Sequence, residues 1–133
     1  MAVEFIFVYG TLRKQIALDI CEVLANHCEY FSDGVMQGTL YEVSGYPGAI
    51  ESCDANDKVF GEIYTLLDRN RVLDQLDEYE ECSEKFPMPH EYSRKQVSIA
   101  LSGGGSVVAW VYLYKYDVSK LQRITSGDYL AKQ

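Results

Sequence analysis

Phe5-Ile6-Phe7-Val8-Tyr9-Gly10-Thr11-Leu12 opens the chain with an apolar and aromatic run that empties into a glycine-containing turn, followed by Arg13 and Lys14. The run from Phe5 to Tyr9 reads as a buried strand. A strand that exits through a tight, small-residue turn leaves successive backbone N–H groups unpaired and pointing at one spot. That geometry suits a carboxylate or a phosphate. A plain strand exit uses the same residues; what sets this one apart is a second feature, an inward-facing carboxylate at Glu80.

Length and charge narrow the alternatives. A chain of 133 residues predicts one domain, residues 1–133, long enough to bury a core without staples. A net charge of −8, with the basic residues scattered rather than striped, argues against nucleic acid and against an anionic membrane as partners. Glu4 stands where a secretory signal would be basic, and the apolar run stops at Tyr9, so no such signal is read. The longest apolar run, Val107 to Tyr114, is too short to span a bilayer. The expected location is cytoplasmic.

Cys21, Cys28, Cys53 and Cys82 form no Cys-x-x-Cys pair, and His27 and His90 lie far apart. His27 beside Cys28 is at most half of a metal site, so no metal is expected and reduced structural thiols are the reading for a cytoplasmic chain. A catalytic Cys–His pair, whose partners meet only in the fold, stays open as the alternative.

Beyond the first turn, Ile16, Ala17, Ile20, Val23 and Leu24 recur at helical spacing and predict an amphipathic helix ending near His27. Gly34 to Val43 reads as a strand, Ser44 to Gly48 as a turn, and Ala49-Ile50 as the start of a short return strand. After a polar turn at Asp54 to Asp57, Val59 to Leu66 reads as a strand, with Gly61 marking a bulge or the close approach of another backbone. A second helix is expected from about Asp68 to Tyr79, then a loop holding Pro87 and Pro89. Glu91 to Leu101 and Ser106 to Tyr114 read as a hairpin joined across Gly103-Gly104-Gly105, its second strand buried on both faces or nearly so. About six or seven strands with two main helices predict an α+β fold whose mixed sheet curls strongly. The 11 tyrosines fit either a hydroxyl-lined pocket or ordinary half-buried strand positions.

The segment from Val72 to Glu81 is crowded with acids, and most of them read as a solvated face. Helical geometry at about 100° per residue separates one: Val72, Leu73, Leu76 and Tyr79 define an apolar direction, and Glu80 falls about 50° from its centre. Asp77 lies about 110° away, and Asp74, Glu78 and Glu81 lie about 150° or more away on the same arithmetic. A carboxylate on a core face is paired, hydrogen-bonded or functional, because burying it unsatisfied is costly. Burial also raises its pKa, as a general acid or base near neutral pH requires. The structural alternative is a helix-end Glu held by Arg94 or by a tyrosine hydroxyl.

These features together resemble the γ-glutamylcyclotransferase-like proteins, which include the AIG2-like proteins and the γ-glutamylamine cyclotransferases. The matching residues run in order along nearly the whole chain: Val8-Tyr9-Gly10-Thr11-Leu12, Gly38-Thr39-Leu40-Tyr41, Tyr46-Pro47-Gly48 and Gly61-Glu62-Ile63-Tyr64. They continue with Leu76-Asp77-Glu78-Tyr79-Glu80, Glu91-Tyr92-Ser93-Arg94, Ala109-Trp110-Val111-Tyr112-Leu113-Tyr114 and Ser126-Gly127-Asp128. The resemblance implies a closed, barrel-like mixed sheet with a central cavity, and neither metal nor organic cofactor. It also implies a small γ-glutamyl substrate held by the backbone of Tyr9, Gly10, Thr11 and Leu12, with Glu80 as catalytic acid/base. Leu73-Asp74-Gln75-Leu76-Asp77 starts the same Leu-Asp motif but ends in Asp; the apolar face and the following Glu91-Tyr92-Ser93-Arg94 favour the register ending at Glu80. Glu81 departs from the pattern, since relatives usually carry glycine there.

Two functions follow from the resemblance. The first is an enzyme that cyclises a γ-glutamyl group to 5-oxoproline and releases an amine or amino acid. The second keeps the fold but is catalytically silent, binding a small ligand or a partner. Glu80 and the Tyr9–Leu12 turn favour the first.

Overall fold

The computed structural model of the protein describes residues 4–9, 28–43, 47–67 and 92–128. The expected helices near residues 16–27 and 68–79 lie outside the described residues. Seven strands are described: β1 (Phe5–Val8), β2 (Cys28–Glu42), β3 (Pro47–Glu51), β4 (Lys58–Leu66), β5 (Tyr92–Leu101), β6 (Ser106–Tyr114) and β7 (Gln122–Arg123). The neighbours run β2–β4–β1–β6–β5, and β5 pairs back onto β2 at Gly34↔Leu101 and Val35↔Ala100, so five strands close a barrel. The pairing of β1 with β6 is parallel, and the other described pairings are antiparallel, which makes the sheet mixed. β3 and β7 extend it along the C-terminal half of β2.

Strand pleating sends alternate side chains to opposite faces. Phe7, Met36, Ile63, Ile99 and Val111, one from each barrel strand, meet in a fully buried interior cluster together with Tyr9, Leu40, Val59 and Leu113. The intervening residues Ile6, Val8, Cys28, Leu66, Tyr112 and Tyr114 form a second buried cluster on the outer face. β1 therefore buries both faces, as its unbroken apolar run predicts. Burial also keeps the Cys28 thiol protonated, its pKa pushed up to about 12.

Three local readings need correction. β2 starts at Cys28 rather than at Gly34 and runs for 15 residues. Its pairing with β4 slips between Tyr30 and Ser32, leaving Phe31 as an extra residue. Such a bulge reverses the phase of the pleat. Cys28 faces the outer cluster before the bulge, Met36 and Leu40 the interior after it, so simple alternation breaks where the strand begins. β3 starts on Pro47, earlier than the expected start at Ala49, a position a strand tolerates because proline there has no ladder N–H to supply. β6 is not buried on both faces throughout: Val108 is 55% exposed, and continuous burial starts only at Val111.

Gly103-Gly104-Gly105 does turn the β5–β6 hairpin, with Gly104 and Gly105 at positive φ. After β6 the chain lays β7 against Tyr41 and Glu42 of β2. The Ile124 N–H then donates to the Leu40 carbonyl at 2.7 Å, its side chain enters the interior cluster, and the Phe60 N–H donates to the Gly127 carbonyl at 2.7 Å. This C-terminal segment ties β2 to β4 beyond their own ladder.

Gly61 is the close-approach glycine that its place inside a strand predicts: a Cβ there would sit 2.3 Å from the Val8 carbonyl oxygen and 2.7 Å from the Phe7 ring. Gly61→Ala should therefore lower unfolding stability by about 1–3 kcal/mol, the range for overpacking a tight site. Gly103→Ala, where a Cβ meets nothing within 4 Å, should leave it unchanged. Urea denaturation of the pair checks this; equal midpoints would mean that the backbone of β1 does not press on β4.

Candidate active site

Tyr9 is the first residue beyond β1, and its side chain is 7% exposed. The phenol donates to the Tyr112 carbonyl at 2.5 Å and accepts from the Ala49 N–H at 3.3 Å. Tyr112 lies on β6 and Ala49 on β3, so one hydroxyl joins the end of β1 to two other strands. The Ala49 amide lies on the edge of β3 that faces away from β2, since Leu40 directly opposite directs its carbonyl to Ile124 instead. Tyr9 is the first residue of the expected Tyr9–Leu12 turn. Gly10, Thr11 and Leu12, the rest of that turn, lie outside the described residues, as do Glu80 and its competitor Asp77. The Tyr9 end of the expected site is thus described, and the carboxylate end is not.

A second carboxylate stands close by in the register, one that sequence reading does not single out. Glu62 pairs with Val8 across the β1–β4 ladder and is 5% exposed. It accepts a hydrogen bond from the Tyr64 hydroxyl at 2.9 Å. Burial and this carboxylate push the Tyr64 phenol well above its ordinary pKa, so it remains a donor. The Tyr64 ring meets Tyr30 edge-on at 5.9 Å, and the Tyr30 hydroxyl donates to Asp33 at 2.8 Å. Period-two alternation separates Glu62 and Tyr64 from the interior-facing Ile63, but it does not reveal that the outer face is itself covered. A glutamate in the midst of a strand is the signal that was available.

Arg94 on β5 lies over the ring of Trp110 of β6, its guanidinium carbon 4.6 Å from the ring centroid. The Trp110 indole N–H donates to Glu4 at 2.8 Å. The cation–π contact and the hydrogen bond fix the indole between the two strand ends. The structure thus gives Arg94 a described partner on its own sheet, while its suggested pairing with Glu80 lies outside the described residues.

A closed mixed barrel whose first strand is followed in sequence by Tyr9-Gly10-Thr11-Leu12 defines a recognisable class. The family described as gamma-glutamyl cyclotransferase, AIG2-like, matches residues 6–131, and the chain belongs to that family. It is 32% identical over 132 residues to a protein of Methanocaldococcus jannaschii, covering 95% of each chain. It is also 32% identical over 125 residues to the gamma-glutamylcyclotransferase family protein YtfP of Escherichia coli K12, covering 94% of this chain and 95% of that one. Among solved structures it superposes on YkqA from Bacillus subtilis with a TM-score of 0.70 at 22% identity, over 96% of this chain and 40% of that longer one. That likeness establishes the fold.

If the Tyr9 hydroxyl ties three strands together, Tyr9→Phe deprives a buried carbonyl and a buried N–H of this partner at once. The variant should lose about 1–3 kcal/mol of unfolding stability, the cost of stranding such groups. Chemical denaturation monitored by Trp110 fluorescence measures it. A stability equal to that of the native protein would show that the hydroxyl bonds contribute nothing net.

Proposed function

We propose that the protein is a γ-glutamylcyclotransferase-type enzyme that closes a γ-glutamyl group to 5-oxoproline and releases an amine or an amino acid. The family match across residues 6–131 carries this reading. The anchored end of β1 supports it, because a turn used to hold a substrate needs a fixed root. In the reaction the free α-amine of the γ-glutamyl group attacks its own γ-carbonyl carbon. A five-membered lactam forms, the γ-amide C–N bond breaks, and the leaving nitrogen departs with a proton. Since the attack is intramolecular, holding the glutamyl chain in a folded conformer supplies much of the barrier reduction. Glu80 takes the proton that the α-ammonium must lose and returns one to the leaving nitrogen. The backbone amides of Gly10, Thr11 and Leu12, with Tyr9 at the root, hold the glutamyl oxygens.

Incubation with a panel of γ-glutamylamines and γ-glutamyl amino acids, followed by assay for 5-oxoproline, tests the activity. Glu80→Gln keeps the size of the side chain but cannot shuttle a proton, so it should fold, bind, and lose turnover by about 10²-fold or more. Asp77→Asn, which disables the competing register, should retain activity. The reverse outcome would move the acid/base to Asp77. A native protein that binds these compounds and forms no 5-oxoproline would be the catalytically silent member of the fold.

A further inference from the structure

The first residues of β2 form an open strand edge. β4 pairs with one side of the strand from Cys28 onward, whereas β5 meets the other side only at Gly34 and Val35. The Ser102 N–H donates to the Asp33 carbonyl at 3.2 Å, the last described rung on the β5 side. Among the described residues nothing pairs with that side of Cys28, Glu29 and Tyr30. The Leu66 N–H, opposite Cys28, turns instead to the Glu4 carbonyl, so the main-chain groups of Cys28, and of Tyr30 two residues on, point away from β4. Aromatic rings flank this edge. Tyr30, 57% exposed, meets Tyr64 of the outer face edge-on. Phe31, the bulge residue, is 45% exposed, and its ring centroid lies 4.9 Å from that of Phe5, which packs on the interior cluster. Rings so exposed leave the edge open to solvent.

An open edge is a template for a further strand, and proteins commonly guard it with lysine or proline. Cys28–Glu42 contains no proline, lysine or arginine. Its guards are the exposed carboxylates Glu29 and Asp33, which bracket the two aromatics. They repel a second copy of this chain: each copy would bring both carboxylates to one short ladder, from a molecule of net charge −8. A basic segment meets the same groups favourably, because lysine stems and arginine planes also lie well on aromatic rings. We infer that this edge is a docking surface for an extended lysine- or arginine-rich segment of another protein, added to β2 as a strand beside Tyr30. The Tyr30 main chain supplies the ladder, Tyr30 and Phe31 the apolar contact, and Glu29 and Asp33 the choice of charge. The bulge keeps the open stretch short, so the rings hold the segment as much as the ladder does. The surface lies at the Phe5 end of β1, the Tyr9 end being the other, and it does not depend on the proposed activity.

Fluorescence anisotropy of the full chain with a labelled short peptide of alternating valine and lysine tests this. The lysine peptide should bind, less tightly as salt is raised, and its valine–glutamate counterpart should not. Glu29→Lys and Phe31→Ser should each weaken binding about tenfold. Asp54→Lys makes the same charge change in the exposed Asp54–Asn56 turn and should leave binding within about twofold. Amide exchange at Tyr30 should slow in the complex, as a new ladder requires. Failure of the lysine peptide to bind overturns the inference. So does an equal loss in Glu29→Lys and Asp54→Lys, or a Tyr30 amide that exchanges no more slowly with peptide bound, since either would reduce the attraction to net charge alone. Should Phe31→Ser not fold, Glu29→Lys and the Tyr30 amide decide the outcome. Self-association of the native chain in sedimentation that Glu29→Lys alters and Asp54→Lys does not would assign the edge to a second copy, and overturns the inference as well.

Discussion

The hydroxyl of Tyr9 is the point at which barrel and site become one problem. It donates to the carbonyl of Tyr112 and accepts from the amide of Ala49, so the end of β1, the C-terminal part of β6 and the outer edge of β3 share one oxygen. A strand edge with unpaired amides is a liability for any sheet. Here an aromatic side chain covers that edge and uses its amide to hold the place where β1 gives way to the turn. Phe7 beside it, with ring centroids 6.4 Å apart, and Gly61 beneath the Val8 carbonyl bring the neighbouring strand in close. The root of the turn is fixed from three sides by side-chain packing and backbone contact.

The two-sided burial of the sheet sets the chemistry available around that root. Among the described residues, interior positions belong to aliphatic and aromatic side chains, and the Tyr9 hydroxyl there is engaged. Polar groups that are buried yet not spent on the interior sit on the outer face: Glu62 with Tyr64, and Thr39 beside Ile50. They differ in kind. Glu62 accepts from Tyr64, whereas the Thr39 hydroxyl has no hydrogen-bond partner among the described residues.

Much of this was legible from the residues, for identifiable reasons. The run Phe5–Tyr9 announced a buried strand, Gly61 a bulge or a close approach of backbone, of which the second is found, and the triple glycine a hairpin; each is a local signal with a steric cause. What escaped depended on partners far along the chain. The Phe31 bulge inverts the pleat of β2, so its first residues lack the alternation that would reveal them. Gln122 and Arg123 carry no strand signal and are ordered by pairing with Tyr41 and Glu42. Glu62 and Thr39 look like ordinary outward-facing positions until the outer face proves to be covered. The resemblance named the family, and the Tyr9 tie came only from the three-dimensional arrangement.

Amide hydrogen exchange at Ala49 tests the tie most directly. That N–H lies on the β3 edge away from β2, and its partner is the Tyr9 hydroxyl. If the hydroxyl holds β1 to β3, Ala49 in the native protein exchanges as slowly as the ladder amides of β2 and β4, at the level of global unfolding. Exchange of Ala49 as fast as the exposed Asp54–Asn56 turn would contradict the account, because the β3 edge would then be open to water and the root of the turn unanchored.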